Sequence, residues 1–150
     1  MPEAVIVSGA RTPLGSFGGS FKDITASDLG ATAIKKALDR VELNPGEVDE
    51  VFFGNVLQSS EAGYTSRIAA LNAGISEEVP AISINRACSS GLEAINIAAQ
   101  MIKTGEIEVA VAGGAESMSQ SPFLLDYRAR FDGYKLGEIP MRDALLEGLT

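Results

Sequence analysis

The sequence predicts an α/β fold: a mostly parallel sheet with helices on both faces. Short apolar runs alternate with segments whose apolar residues recur at helical spacing. The connections are long enough for crossovers between parallel strands, and Gly or Pro punctuates most junctions.

Ala4-Val5-Ile6-Val7 reads as a first strand, an unbroken apolar run of the kind covered on both faces. Beyond a glycine-rich loop, Thr25-Ala26-Ser27-Asp28 has the hydroxyl-to-carboxylate spacing of a capping box. Leu29, Ala33, Ile34, Ala37, Leu38 and Val41 then recur at helical spacing, with Lys35, Lys36, Asp39 and Arg40 facing out. Asn44-Pro45-Gly46 is a turn, residues 48–53 form a second strand, and residues 66–73 form a short helix closed by Gly74. Pro80 opens a third strand, Ala81-Ile82-Ser83-Ile84. Proline suits a strand start or a sheet edge, and a short edge strand is a place where a second subunit can add on.

The helix after Cys88 is the greasiest element. Glu93, Asn96, Gln100 and Lys103 fall on one narrow stripe, while Leu92, Ala94, Ile95, Ile97, Ala98, Ala99, Met101 and Ile102 are apolar. Such a helix is expected to be buried on most sides. Gly105 ends it, and Val109-Ala110-Val111-Ala112 forms a fourth strand before Gly113-Gly114. From about Ser119 the regularity stops. Ser121-Pro122, Asp132-Gly133 and Ile139-Pro140 punctuate a mixed-charge stretch, and Met141, Leu145 and Leu149 begin another amphipathic helix.

Composition narrows the function classes. The chain has 150 residues, enough for one domain with a real core. Its net charge is −8, and it has no Lys/Arg run to track a phosphate backbone, which argues against nucleic acid as a partner. No stretch approaches a membrane span, and the apolar run starting at Ala4 leaves no room for a signal peptide, so a cytoplasmic protein is expected. One cysteine and no histidine exclude an internal disulfide framework and zinc-ligand spacing, so no metal is expected. No GxGxxG follows a strand and no GxxxxGK[ST] occurs. The Gly15-Ser16-Phe17-Gly18-Gly19 stretch does not lead directly into a helix and reads as a structural loop.

Cys88 is the candidate nucleophile. A thiol at the first turn of a helix faces unpaired backbone N–H groups and the positive end of the helix dipole, which favours its thiolate. A cysteine nucleophile also needs a proton acceptor, most often His. Either Cys88 is activated by its helix alone, or the base lies on other polypeptide. Glu116 can serve as a base or tie down a loop, the latter being the better-supported reading. Arg11 and Asn55 sit at strand exits, where a buried hydrogen-bonding role is as plausible as ligand contact. Gly113-Gly114 permits close backbone approach, either to the Cys88 loop or to a ligand.

Four segments occur in order: residues 8–19 (Ser8-Gly9-Ala10-Arg11-Thr12-Pro13-Leu14-Gly15-Ser16-Phe17-Gly18-Gly19), 53–58 (Phe53-Gly54-Asn55-Val56-Leu57-Gln58), 85–92 (Asn85-Arg86-Ala87-Cys88-Ser89-Ser90-Gly91-Leu92) and 112–119 (Ala112-Gly113-Gly114-Ala115-Glu116-Ser117-Met118-Ser119). Together they resemble the thiolase family of acetyl-CoA acyltransferases. The resemblance implies a thiolase-like fold, here the incomplete N-terminal half of an α-β-α-β-α layered enzyme. Residues 1–118 would be the N-terminal α/β domain without its last strand, and 119–150 the start of a long loop-domain excursion. It implies that Cys88 carries an acyl group as a thioester, with its own backbone N–H helping to hold an oxyanion. Acyl-CoA and coenzyme A enter as substrates, with no bound cofactor, in 3-ketoacyl-CoA thiolysis or Claisen condensation of acetyl-CoA, the chemistry of fatty acid metabolism. No substrate-binding residue is singled out. A homodimer or dimer of dimers through the 80–85 edge strand is expected. The family's activating histidine and second cysteine have no counterpart here, so the chain alone is expected to be inactive and to expose apolar faces. The Ala10-Arg11-Thr12-Pro13 opening and Gly113–Met118 argue against a ketoacyl-synthase-like condensing enzyme. The intact nucleophile loop argues against a non-catalytic lipid-binding or assembly subunit.

Overall fold

The computed structural model describes residues 2–58, 64–131, 133–134 and 136–149. Three parallel strands form the main sheet: β1 (Glu50–Gly54), β2 (Ala81–Ile84) and β3 (Ala110–Gly114), in the order β2-β1-β3. Val51 pairs with Ala81 on one side of β1 and with Val111 on the other. Every residue of β1 is buried, as a central parallel strand requires.

The pleat sends β1 side chains to two cores. Val51 and Phe53 face α1 (Ala26–Asp39) and α2 (Thr65–Asn72), packing with Ile34, Leu38, Ala69 and Ala70. Phe52, fully buried, faces the other way onto Ala94 and Ala98 of α3 (Ser90–Thr104). Helices therefore cover both faces, the α/β arrangement that the alternation predicts.

Local chemistry explains the helix ends. The Thr25 side chain accepts from the Asp28 N–H at 3.0 Å, and its hydroxyl donates to the Asp28 carboxylate at 2.8 Å. The buried stripe of α1 is Ala26, Ser27, Gly30, Ala31, Ile34 and Leu38; Leu29, Ala33 and Ala37 are only half-buried, and Val41 lies beyond the helix. The expected stripe was rotated because Gly30 and Ser27, not counted as apolar, lie against the sheet and α2. A Cβ on Gly30 would sit 2.8 Å from the Phe53 ring. Gly74 and Gly105 close α2 and α3 with φ of +91° and +77°.

Three expectations are corrected. Residues 4–7 are not a strand: Val5, Ile6 and Val7 are exposed, and the segment runs beside α1 instead. The Ser8 hydroxyl donates to the Ala37 carbonyl at 2.7 Å, and Arg40 donates to the Gly9 carbonyl. An apolar β-branched run has the propensity for a strand but becomes one only when paired in a ladder, and the described ladders, β2-β1-β3 and β4-β5, do not include residues 4–7.

Second, α3 is not covered on most sides. Only Ser90, Ala94 and Ala98 are buried, while Leu92 is 63% exposed. The sheet buries one line of the helix, its flanks (Ile97, Met101) are half-buried, and the far side, with Leu92 and Ile95, is exposed.

Third, Met141 does not open a helix. Met141–Asp143 is strand β5, antiparallel to β4 (Phe123–Leu125), and α4 spans Ala144–Leu149. The Leu124–Arg142 pairing claims these backbone groups for a ladder, and the Asp143 carboxylate then caps the Leu145 N–H at 2.9 Å. Asp132 of the expected Asp132-Gly133 turn lies outside the described residues; Gly133 has φ of +62°. Pro80 opens an edge strand as expected, its carbonyl accepting from the Val51 N–H at 3.0 Å.

Candidate active site

The carboxyl ends of β1 and β3 and the start of α3 meet at one place, where open parallel sheets hold ligands. A cavity of about 460 Å³ lies there, walled by Gly54, Asn55, Cys88, Gly91, Gly114 and Glu116 among others. Glycines make the convergence possible. A Cβ on Gly54 would lie 2.5 Å from the Gly91 nitrogen and 2.6 Å from the Ser90 carbonyl carbon, so only glycine lets α3 start this close to the sheet. A Cβ on Gly114 would come within 2.8 Å of the Gly54 oxygen. The Gly113-Gly114 pair therefore serves close strand and ring packing: a Cβ on Gly113 would meet the Phe53 ring at 3.1 Å.

Cys88 is exposed on this wall. It precedes Ser89, the N-cap of α3, so the thiol stands just before the helix instead of within its first turn. The turn that carries it is tightly held. Ala87, immediately before the cysteine, has φ of +48°, a left-handed conformation that costs a non-glycine residue roughly 1–2 kcal/mol. Both of its backbone polar groups are engaged. The Ala87 N–H donates to the Asn85 side-chain oxygen at 3.1 Å, and the Ala87 carbonyl accepts from the Ser90 hydroxyl at 2.6 Å and the Ser90 N–H at 3.0 Å. The buried Ser90 hydroxyl also accepts from the Arg86 N–H at 2.8 Å.

Glu116 reaches the same wall without being free. Its carboxylate accepts from the Val56 N–H at 2.8 Å, the Asn55 side-chain amide at 2.9 Å and the Leu57 N–H at 3.3 Å. The reading as a loop tie fits this geometry better than that as a base. Asn55 is 1% exposed; its amide also donates to the Ala115 carbonyl, and its side-chain oxygen accepts from Thr65. Its role is a buried hydrogen-bonding one. Arg11 is exposed and does not line the cavity. Arg86 pairs with Glu93 at 2.5 Å on the surface, a contact worth at most about 1 kcal/mol.

The parts that sequence reasoning left without a role are Asn85, Ala87 and Ser90. An Asn two residues ahead of a small residue is an Asx-turn signal, and that signal was available. Among the described residues no group of three or more His, Cys, Asp or Glu side chains is placed to hold a metal ion. No described helix is long and apolar enough to cross a membrane.

Comparison with known proteins decides the family. The profile of the thiolase N-terminal domain matches residues 4–150. The chain belongs to the thiolase family. It is 48% identical over 151 aligned positions to a probable acetyl-CoA acyltransferase of Staphylococcus aureus strain NCTC 8325, an alignment spanning 100% of this chain and 38% of that protein. A probable acetyl-CoA acyltransferase of Staphylococcus epidermidis is 46% identical over the same shares. The chain thus spans 38% of the length of the curated relatives it matches. The parallel sheet flanked by helices is the thiolase N-terminal fold, and the Cys88 turn is the part of this thiolase domain that brings a thiol, a glycine-lined backbone and a cavity together.

Proposed function

We propose that this thiolase domain carries the nucleophile of an acyltransferase acting on acyl-CoA thioesters. The observation that supports it most is the exposed Cys88 thiol on a cavity wall, borne by a turn whose strained residue is hydrogen-bonded at both ends. In the degradative direction the Cys88 sulfur attacks the ketone carbon of a 3-ketoacyl-CoA. The new S–C bond forms as the neighbouring C–C bond breaks, and the departing acetyl-CoA carbanion takes up a proton. A second CoA thiol then attacks the cysteine thioester, giving its proton to a base, releasing the shortened acyl-CoA and restoring the thiolate. Claisen condensation is the reverse sequence with acetyl-CoA.

The 150 residues hold no histidine and no second cysteine. The base and the acid of these steps therefore come from other polypeptide, and we expect no turnover from this chain alone. The outer edge of β2, unpaired among the described residues and with Ile82 45% exposed, is the proposed site at which a second copy adds in a homodimer or dimer of dimers. A cytoplasmic location and a place in fatty acid metabolism belong to the same proposal.

Incubation with acyl-CoA followed by intact mass measurement tests the reading. The expected result is an added acyl mass, absent from Cys88→Ser. No adduct, even with the remainder of a full-length thiolase supplied, would favour a non-catalytic assembly subunit and overturn it.

A further inference from the structure

A continuous chain of hydrogen bonds runs from Glu116 to the residue before Cys88. The Glu116 carboxylate fixes the Val56 peptide through its N–H at 2.8 Å. On the other side of that residue, the Val56 carbonyl accepts from the Asn85 side-chain amide at 3.1 Å. The oxygen of the same Asn85 side chain accepts from the Ala87 N–H at 3.1 Å. One side chain thus spans two loops with opposite ends, one donating and one accepting.

We propose that Glu116 and Asn85 are positioning residues that act as one relay, holding Ala87 in its left-handed conformation and so keeping the Cys88 thiol on the cavity wall. The inference rests on the reading of Cys88 as the nucleophile. A left-handed non-glycine residue persists only where its surroundings over-determine it. Ser90 secures the carbonyl side of Ala87 from within the same turn. Its N–H side is secured only by Asn85, whose own anchor is the loop that Glu116 clamps. Removing Asn85 leaves Ala87 with the Ser90 bonds alone, and removing the Glu116 clamp loosens the loop on which the Asn85 amide is anchored, so in both cases the conformation of Ala87 can relax toward the favoured regions. The turn then no longer holds the thiol in its place on the cavity wall.

Because Cys88 is the only cysteine, carbamidomethylation by iodoacetamide, followed by intact mass, reports this thiol alone. Asn85→Ala and Glu116→Gln are each expected to lower the second-order rate at neutral pH by about three- to fivefold, the size of a lost helix-end interaction. Glu116→Gln keeps the shape but turns one acceptor into a donor facing backbone N–H groups. The double variant is expected to react no more slowly than the slower single variant, because both break one chain. Leu38→Ala, in the core far from the site, is the control: it lowers stability and is expected to leave the rate within about twofold. Independent, multiplying effects, unchanged rates, or an equal drop in Leu38→Ala would overturn the relay. A wild-type thiol reacting no faster than that of the urea-unfolded chain would instead count against the activated nucleophile, while the ratio of variant to wild-type rates still judges the relay.

Discussion

Replacing Gly54 by alanine isolates the geometric requirement of the site in a single methyl group. The added Cβ would lie 2.5 Å from the Gly91 nitrogen and 2.6 Å from the Ser90 carbonyl carbon. That is about 1 Å inside the ~3.5 Å of ordinary non-bonded contact. Both neighbours are backbone at the start of α3, so no flexible side chain can swing away; the helix end or the strand must move. Gly54 has no left-handed φ, so alanine fits its backbone conformation and the effect is steric. Overpacking of this kind costs about 1–3 kcal/mol, offset by roughly 0.5–1 kcal/mol from losing a flexible glycine inside a strand. A net loss of about 1–2 kcal/mol corresponds to a fall in melting temperature of roughly 2–8 °C for a chain of this size. Since the displaced residues lie two and three positions after Cys88, a shift approaching 1 Å is also expected to slow acyl transfer by about a hundredfold in a full-length thiolase carrying the substitution. Differential scanning calorimetry and the acyl-adduct assay read the two effects. A melting temperature within about 1 °C of wild type, with adduct formation unchanged, would refute the argument that glycine is required there.

The other predictions concern the opposite end of β1. Glu50 is buried, and burial together with the nearby Glu106 charge raises its carboxyl above the usual range. Its contribution to stability is therefore full below the ordinary value of 4.5 and is lost as pH rises through the raised folded value. Glu50→Gln should raise stability at pH 7 and flatten the stability–pH curve above pH 4.5, measured by urea unfolding; an unchanged slope would show that the carboxylate is well solvated. Asp49 behaves in the opposite sense. Its carboxylate accepts from the Val109 and Glu108 N–H groups at 2.9 and 2.8 Å, which hold it below 3.8. Its stabilisation is present above 3.8 and lost as pH falls through the lowered value, so Asp49→Asn should cost about 0.5–1 kcal/mol at pH 7, discounted for its exposure, and nothing at pH 2. Equal losses at both pH values would contradict the charged hydrogen bonds.

Much of this fold was legible because its signals are local. Thr25 with Asp28, Pro80, Gly74 and Gly105 each mark a boundary through their own backbone chemistry, and the helix and strand boundaries fall within a residue or two of them. What was illegible depends on partners. Residues 4–7 have the composition of a strand, and composition does not say whether a ladder takes them up; the described ladders do not. The Met141 segment shows the same limit: its apolar spacing suits a helix, but pairing with residues 123–125, far away in sequence, claims it for a ladder. Gly30 and Ser27 were left out of the buried stripe of α1 because a hydropathy pattern counts side-chain greasiness and not how closely two backbones approach.

The site divides along the same line. Cys88 stands out by its residue type and its place after a strand. Glu116 and Asn55 stand out only as polar residues at strand exits, where a base, a ligand contact and a structural tie look alike. The three are separated by counting hydrogen-bond acceptors. Both oxygens of the Glu116 carboxylate accept from donors of residues 55–57, filling three of its roughly four acceptor sites, which favours the tie over the base. Spending those acceptors on the loop ties residues 55–57 to the segment that follows β3. Held by three donors, its charge is spread into the backbone of the loop that Asn85 reads from the other side. In this arrangement the carboxylate shapes the cavity wall that also carries Cys88 through position, by fixing the loop beneath it.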